Sequence, residues 1–219
     1  MIVTIGGQKG GTGKTTICTN IAAALARAGR RVLIIDTDLQ PSTSIWTTRR
    51  EERGDVPPVY SVQKTGKLTS TVREFATQFD EILIDTAGRD SAEFANAMLC
   101  AHVLISPVVP SALDEDTMWH VDDQIDKAKK FNEELEAVMV SSRCSTNPSV
   151  KELDLSRDRL GELSHLKFLD SLLRDRKVYR DAYRMGLGVC EMNDKKAILE
   201  VDGLMREIYG DECALVKAA

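Results

Sequence analysis

The sequence predicts an α/β fold in which a doubly wound, mostly parallel sheet carries helices on both faces. Short apolar runs rich in Ile, Val and Leu recur along the 219-residue chain. Such runs are typical of strands that are buried on both sides. Alanine-rich or amphipathic stretches separate them, and this alternation favours right-handed βαβ crossovers. We expect a single domain over residues 1–219.

Each predicted element has a recognisable start or end. The first strand, residues 2–5, leads directly into a glycine-rich loop, and the alanine-rich helix at residues 15–28 is stopped by Gly29. Residues 51–68 contain Gly and Pro and are predicted to form a loop with one short edge strand. The charged last third, from residue 147, is predicted to be mostly helical. Four more strands are expected at residues 31–35, 81–84, 102–106 and 137–140, and three more helices at residues 69–79, 91–100 and 114–134.

Composition limits the classes of protein to consider. The formal net charge is -5, which argues against a surface coated in basic charge but leaves room for a local basic patch. The five cysteines are scattered without C-x-x-C spacing, so neither a zinc ribbon nor a disulfide framework is indicated. No secretory signal or membrane-spanning run is evident. We therefore expect a cytoplasmic protein.

The glycine-rich loop at residues 6–13 has the context of a phosphate-binding loop, because a strand precedes it and a helix follows. Backbone N–H groups of such a loop curl round a phosphate, and the helix adds its positive end. Lys14 supplies a charge to the β- and γ-phosphates, and the Thr15 hydroxyl can bind Mg²⁺. The predicted nucleotide-binding residues here are Gly10, Gly11, Thr12, Gly13, Lys14, Thr15 and Thr16.

Three carboxylates follow predicted strands. Asp36 and Asp38 come just after one apolar run, and Asp85 ends another. The carboxyl ends of parallel strands meet at the ligand-binding edge of such a sheet. Acids at that edge can hold Mg²⁺ and orient an attacking water.

One detail of the loop points to a family. Gln8 stands where the ordinary Walker pattern has glycine, and a second lysine, Lys9, follows it. The run KGGTGKT at residues 9–15 resembles the deviant Walker-A loop of the ParA/MinD ATPases, which have the P-loop NTPase fold and hydrolyse Mg-ATP. The resemblance implies that Lys9 crosses a dimer interface to the partner's phosphates, which would tie hydrolysis to dimerisation.

The same resemblance implies roles for the three carboxylates and for the residues of the phosphate loop. Asp85 matches the Walker-B aspartate, and residues 36–38 match the switch I motif. We assign Thr15, Asp36 and Asp85 to the magnesium shell, Asp38 to positioning of the hydrolytic water, and Lys9 and Lys14 to catalysis. Many relatives read D-x-D-P-Q where this chain reads D-L-Q-P at residues 38–41, so the conformation of this loop is open.

Two further residues are candidates for the base pocket. Residues 107–114 resemble the P-x-x-P-S-x-L-D segment of small ParA-type ATPases, which places Pro110 beside the nucleotide. Arg143 matches a position from which relatives pack a side chain on adenine, although a purely structural arginine at the end of a strand fits the pattern as well. No [NT]-K-x-D segment follows a late strand, which favours ATP over GTP.

Residues 174–184 carry five cations and two acids. On a helix, Arg176, Arg180 and Arg184 would share a face, and such a stripe could neutralise DNA phosphates without reading sequence. A solvated face paired with neighbouring acids is the alternative. ParA-type ATPases bind nonspecific DNA through basic residues in this region. The candidate DNA-binding residues are Arg174, Arg176, Lys177, Arg180 and Arg184.

Taken together, the resemblance implies a DNA-partition or cargo-positioning ATPase that dimerises with ATP. It implies nonspecific DNA and a ParB-like or small DNA-binding stimulator as partners, no membrane contact, and association with the nucleoid in the ATP state. Since the first strand begins at residue 2, we expect no N-terminal helix-turn-helix extension. A MinD-like membrane-cycling ATPase is an alternative. Against it, residues 198–209 are mainly acidic and the segment at residues 214–219 is short, so neither resembles a membrane-binding helix. A metal-cluster protein of this fold would need paired cysteines, which this sequence lacks. For a small-molecule ligase or kinase on the same fold, the sequence shows no signature of an acceptor site.

Overall fold

A computed structural model describes residues 1–88, 91–147 and 151–215. Within these ranges the chain forms one seven-stranded sheet in which every neighbouring pair is parallel, in the order β3-β2-β4-β1-β5-β6-β7. The strands are β1 (Ile2–Ile5), β2 (Val32–Asp36), β3 (Tyr60–Gln63), β4 (Glu81–Asp85), β5 (Val103–Val108), β6 (Glu136–Cys144) and β7 (Lys167–Arg174).

Helices connect the strands and cover both faces of the sheet. Their bounds are α1 (Lys14–Arg27), α2 (Ser42–Arg53), α3 (Thr69–Phe75), α4 (Ala92–Met98), α5 (Ala112–Lys129), α6 (Glu152–Leu160), α7 (Lys177–Arg184) and α8 (Lys195–Tyr209). Helices α1, α2, α7 and α8 share one apolar core with the sheet, whereas α3, α4, α5 and α6 contribute to the two other apolar clusters. The predicted doubly wound α/β fold is therefore confirmed.

The central strands are buried because both of their faces meet helices. All residues of β2 and β4 are buried, and the alanine-rich helix α1 packs closely against the sheet with a run of buried residues from Ile17 to Ala26. This packing brings the N-terminus of α1 to the carboxyl edge of the sheet. The candidate site therefore rests on buried strands and on the largely buried helix α1.

Two elements differ from the sequence predictions. The last third is largely helical, as predicted, but it also contains β7, an edge strand with a mixed burial pattern. Its interspersed polar residues Lys167, Asp170 and Arg174 hide it from a search for apolar runs. Helix α2 was not predicted either, since it is polar and rich in Thr and Arg. The short edge strand expected within residues 51–68 is confirmed as β3.

Candidate nucleotide site

The phosphate loop lies between β1 and α1, as its spacing predicts. Gly11 and Gly13 have positive φ values of 77° and 97°, a conformation that glycine adopts without strain. A Cβ on Gly13 would also lie 2.7 Å from Ser142 Oγ on β6. The loop is thus packed against the strands on which the remaining site residues lie, and only glycine fits there.

A cavity of about 460 Å³ opens above this loop. It lies at the carboxyl edge of the sheet, where ligands bind in open α/β folds. The phosphate loop lines it with Gly10, Gly11, Gly13, Lys14, Thr15 and Thr16. The ends of β6 and β7 and the segment that follows β7 line it with Ser142, Arg143, Leu173, Arg174, Asp175, Arg176, Tyr179 and Arg180. Asp38 and Asp85 also line the cavity. All the predicted loop residues except Thr12, two of the three carboxylates and several arginines therefore meet in one space.

Asp85 and Thr15 form a group suited to a magnesium ion. The Thr15 hydroxyl donates to Asp85 Oδ2 over 2.8 Å, while Asp85 Oδ1 is buried without a hydrogen-bond partner. Burial raises the pKa of Asp85 to about 7, against the hydrogen bond from Thr15. Mg²⁺ in phosphate sites takes one or two protein ligands plus phosphate and water oxygens. A hydroxyl and a free carboxylate oxygen at this position fit that donor set.

Asp36 is engaged inside the loop that follows β2. Its Oδ2 accepts hydrogen bonds from the Thr43 hydroxyl at 2.5 Å and the Thr43 N–H at 3.1 Å, and its Oδ1 accepts from Asp38 N–H at 3.0 Å. Burial raises the pKa of Asp36, and these donors oppose the rise. Because both oxygens are occupied, Asp36 fixes the loop around Asp38 in this structure. Its predicted place in the magnesium shell stays a prediction.

The two lysines of the loop have different partners. The Lys14 ammonium donates to the carbonyl of Lys9 over 2.7 Å and is mostly buried. Burial lowers the pKa of Lys14, while Asp85 and Asp38 raise it. Lys9 is 37% exposed and pairs with Asp114 Oδ2 at 2.9 Å, at the start of α5. Within one chain, Lys9 therefore turns towards α5 and Lys14 towards the phosphate loop.

Arg143 and Pro110 lie near each other at the base end of the site. Both line a second cavity of about 220 Å³ next to the first. Arg143 has a φ of 52° at a register shift of β6, an uncommon conformation for a residue other than glycine. Its Nη1 donates to the carbonyl of Gly11 over 2.8 Å. Arg143 thus reaches the phosphate loop, and its stacking on a base stays a prediction.

The predicted stripe of Arg176, Arg180 and Arg184 on one helix is wrong in one respect. Helix α7 begins at Lys177, and Arg176 turns aside to pair with Glu200 on α8 at 2.7 Å. Arg180 and Arg184 remain on the helix with exposed side chains. Arg174 ends β7 and donates to the Ser145 carbonyl. Arg174, Arg176 and Arg180 all line the larger cavity, so these cations lie beside the nucleotide position.

Gly88 and Asp175 are among the lining residues that the sequence analysis does not predict. Gly88 lies so close to the phosphate loop that a Cβ there would be 2.6 Å from Gly10 Cα and 3.0 Å from Lys14 Nζ; its position three residues after Asp85 was the available signal. Asp175 follows β7 directly and, because β7 was not predicted, could not be placed at the carboxyl edge of the sheet.

Comparisons with known proteins agree with this geometry. Residues 3–187 match the CobQ/CobB/MinD/ParA nucleotide binding domain. The chain belongs to this family. The maintenance of carboxysome distribution protein A of Halothiobacillus neapolitanus is 29% identical over 206 residues, which cover 91% of this chain and 92% of that protein. The structure of Cyanothece apo McdA aligns with a TM-score of 0.72 at 12% identity and covers 94% of this chain and 98% of that one. The septum site-determining protein MinD of Pyrococcus horikoshii OT3, solved with Mg-ADP, aligns with a TM-score of 0.73 at 21% identity, and the alignment covers 95% of each chain.

Membership of the family means that the chain carries a nucleotide-binding domain, and the predicted phosphate loop of that domain lines this cavity. The resemblance to the ParA/MinD ATPases inferred from the loop is confirmed, as is the fold of that class. Among the helices in the described ranges, none has the length and apolarity to cross a membrane. Residues 216–219, part of the short C-terminal segment weighed for a membrane helix, lie outside the described residues.

Proposed function

We propose that the chain is an ATP-gated dimer switch that hydrolyses Mg-ATP and partitions or positions DNA or another cargo. The observation that carries the proposal is that the phosphate loop and the basic residues Arg174, Arg176 and Arg180 line one cavity, with Lys9 of that loop paired with Asp114. The Halothiobacillus relative, named for the maintenance of carboxysome distribution, supports a positioning role. The residues that would hold ATP and Mg²⁺ are those of the phosphate loop, with Thr15 and Asp85 at the metal.

The proposed cycle begins with ATP in the phosphate loop. A bound Mg²⁺ would neutralise phosphate charge. Lys14 holds the β- and γ-phosphates, and Asp38, at the edge of the cavity, orients the attacking water. Lys9 leaves Asp114 and reaches the phosphates of a second copy, which closes the dimer. A cation delivered by the partner then stabilises the charge that develops during hydrolysis, as an arginine finger does.

Dimer closure would join two basic surfaces. Each chain contributes Arg180 and Arg184 from α7, and doubling the number of cations strengthens electrostatic binding to a DNA backbone steeply. Hydrolysis dissolves the dimer, and a ParB-like or small DNA-binding partner is expected to stimulate it. In the cell we expect a cytoplasmic protein that associates with the nucleoid when ATP is bound.

One observation favours DNA over a membrane as the surface that is bound. The apolar residues Ala197, Val201, Leu204 and Met205 of the C-terminal helix α8 are buried in the core. An amphipathic helix that binds membranes needs its apolar face free for lipid. Helix α8 therefore has no such face to offer in this arrangement.

The test is binding of random-sequence duplex DNA without nucleotide, with ADP, and with a non-hydrolysable ATP analogue and Mg²⁺. We expect binding that depends on the ATP analogue and falls at least about tenfold between ~50 and ~200 mM salt. Arg180→Ala/Arg184→Ala should abolish it. The matched control, Lys127→Ala/Lys130→Ala, removes an exposed cation of α5 and another directly after its end, and it should bind as the unchanged protein does.

The absence of DNA binding in every nucleotide state would contradict the DNA part of this proposal. The search would then turn to small-molecule acceptors and to lipid vesicles, with the nucleotide site itself unaffected.

A further inference from the structure

Helix α2 is fastened to α7, the helix that carries candidate DNA-binding cations. The indole N–H of Trp46 on α2 donates to the carbonyl of Leu187, just after α7, over 3.1 Å. Gly186 has a φ of 67°, and a Cβ at this position would overlap the backbone of Arg49 and Arg50. The end of α7 therefore packs directly against the backbone of α2.

Arg49 of α2 lies beside α7. Its guanidinium carbon is 5.4 Å from the centre of the Tyr183 ring, and its Nη1 is 3.5 Å from the Tyr183 carbonyl oxygen. Tyr183 is on α7, three positions after Arg180 and directly before Arg184, and residues three apart on a helix are neighbours. Arg49 thus brings a third guanidinium to the part of α7 that carries Arg180 and Arg184.

The charge of Arg49 is not compensated by an acid. Over the described ranges of the chain Arg49 forms no ion pair, whereas Arg180 pairs with Asp175 at 2.7 Å and Arg184 lies 3.9 Å from Asp181. Stacking on an aromatic ring leaves the positive charge in place. An unpaired cation attracts a phosphate more strongly than one that already faces a carboxylate. Arg49 therefore retains its full charge for an external anion.

Arg49 is also separate from the nucleotide. It does not line the nucleotide cavity, whereas Arg180 does, so the phosphates of a nucleotide would not compete for it. The contact with Tyr183 keeps Arg49 half-buried, which limits the side-chain freedom that it would lose on binding. The N–H groups of a guanidinium can form a bidentate contact with phosphate oxygens.

We propose that the DNA-binding surface of the ATP-bound dimer extends from α7 onto α2, and that Arg49 contacts a phosphate of nonspecific duplex DNA. Such a contact carries no sequence information, because every nucleotide has the same phosphate. In the dimer, each chain contributes one copy of Arg49 to the joined surface. This inference rests on the proposed function, which supplies the dimer and its binding of DNA.

The experiment measures binding of random-sequence duplex DNA with a non-hydrolysable ATP analogue and Mg²⁺, from ~50 to ~200 mM salt, for the unchanged protein, Arg49→Gln and Arg49→Lys. Arg49→Gln should bind about tenfold more weakly at ~100 mM salt. Its plot of log association constant against log salt concentration should become shallower by about two units, one for each chain of the dimer. Arg49→Lys keeps the charge and should keep the slope of the unchanged protein.

Arg73→Gln is the matched control. Arg73 is an exposed arginine of α3 that forms no ion pair within the described residues, and α3 contributes to a different apolar cluster from α2 and α7. Its removal changes the net charge equally and should leave DNA binding unchanged. Circular dichroism checks that the variants are folded, and sedimentation with the ATP analogue checks that Arg49→Gln still dimerises.

Three results would overturn the inference while the proposed function stands. Arg49→Gln could bind DNA with the affinity and salt slope of the unchanged protein, Arg49→Lys could lose the slope as Arg49→Gln does, or Arg49→Gln could weaken binding only because it no longer dimerises. If the unchanged protein binds no DNA even with the ATP analogue, both the inference and the DNA part of the proposed function are wrong.

Discussion

At the scale of single residues, Asp85 shows how a functional group is kept at a cost to stability. It is buried, one of its oxygens has no hydrogen-bond partner, and burial raises the pKa of this carboxyl to about 7. In the unfolded chain its pKa is near 3.8. Between these values the folded protein retains a proton that the unfolded chain releases. The free energy of unfolding of the metal-free protein should therefore decrease as pH rises through this range.

The prediction concerns Asp85→Asn, which cannot ionise. Relative to the unchanged protein without Mg²⁺ and nucleotide, this variant should become progressively more stable between pH 4 and pH 8, by up to about 4 kcal/mol. Urea unfolding at several pH values in the presence of a chelator measures the difference. A difference between the two proteins that does not change with pH would show that Asp85 is solvated and ordinary.

At this scale, the sequence indicates which residues belong to the candidate site, but it does not reveal which side chains contact one another. The predicted roles of Lys14, Thr15 and Asp85 follow from their spacing after strands, and the structure brings all three residues together. The partner of Lys9 could not be predicted, because Asp114 is 105 positions away in the chain and only the fold brings it within 2.9 Å. The same holds for the pairing of Arg176 with Glu200.

At the scale of elements, α2 ties the loop after β2 to the C-terminal part of the chain. Arg50 of α2 donates to both oxygens of Glu191 at 2.8 and 2.7 Å, and it lies over the ring of Trp46. The Tyr183 hydroxyl of α7 donates to the carbonyl of Ser42 at the start of α2. The helix that follows Asp38 is therefore held by residues about 140 positions further along the chain.

Arg50→Ala should be strongly destabilising. The substitution leaves the Glu191 carboxylate, only 5% exposed, without its cation, and breaking one side of a buried pair costs about 3–5 kcal/mol. The double variant Arg50→Met/Glu191→Leu should lose less stability than Arg50→Ala, because no unpaired buried charge remains. The control Arg53→Ala breaks an exposed pair with Asp55 and should cost less than about 1 kcal/mol.

Chemical unfolding of the three variants measures their losses in free energy of unfolding. A loss below about 1 kcal/mol for Arg50→Ala would contradict the account of this pair.

The elements that could be predicted are those marked by an apolar run, an amphipathic pattern or a Gly/Pro boundary. Strands β1, β2, β4, β5 and β6 follow from apolar runs, and the end of α1 follows from Gly29. Helix α2 and strand β7 could not be predicted, because each has one side facing other elements and another facing water, and their polar residues obscure the pattern. Missing β7 also removed Asp175 from the candidate site.

At the scale of the whole molecule, the phosphate loop and the basic segment after β7 meet in one cavity. Lys9, in that loop, pairs with Asp114 of α5, and Arg174, Arg176 and Arg180 line the cavity itself. A nucleotide in this cavity would contact residues of the proposed DNA surface. The fold, the family and the cavity could be predicted from the sequence, whereas the pairing of charges that compensates α7 needed the structure.

The measurement that tests the central claim most directly is the oligomeric state and ATP hydrolysis of Lys9→Ala. With a non-hydrolysable ATP analogue and Mg²⁺, the unchanged protein should sediment as a dimer. Lys9→Ala should bind nucleotide but remain a monomer and lose at least about 100-fold in hydrolysis rate, as expected when a finger cation is removed. Lys67→Ala, at an exposed lysine of another loop, should behave as the unchanged protein. A Lys9→Ala protein that dimerises and hydrolyses ATP normally would contradict the account.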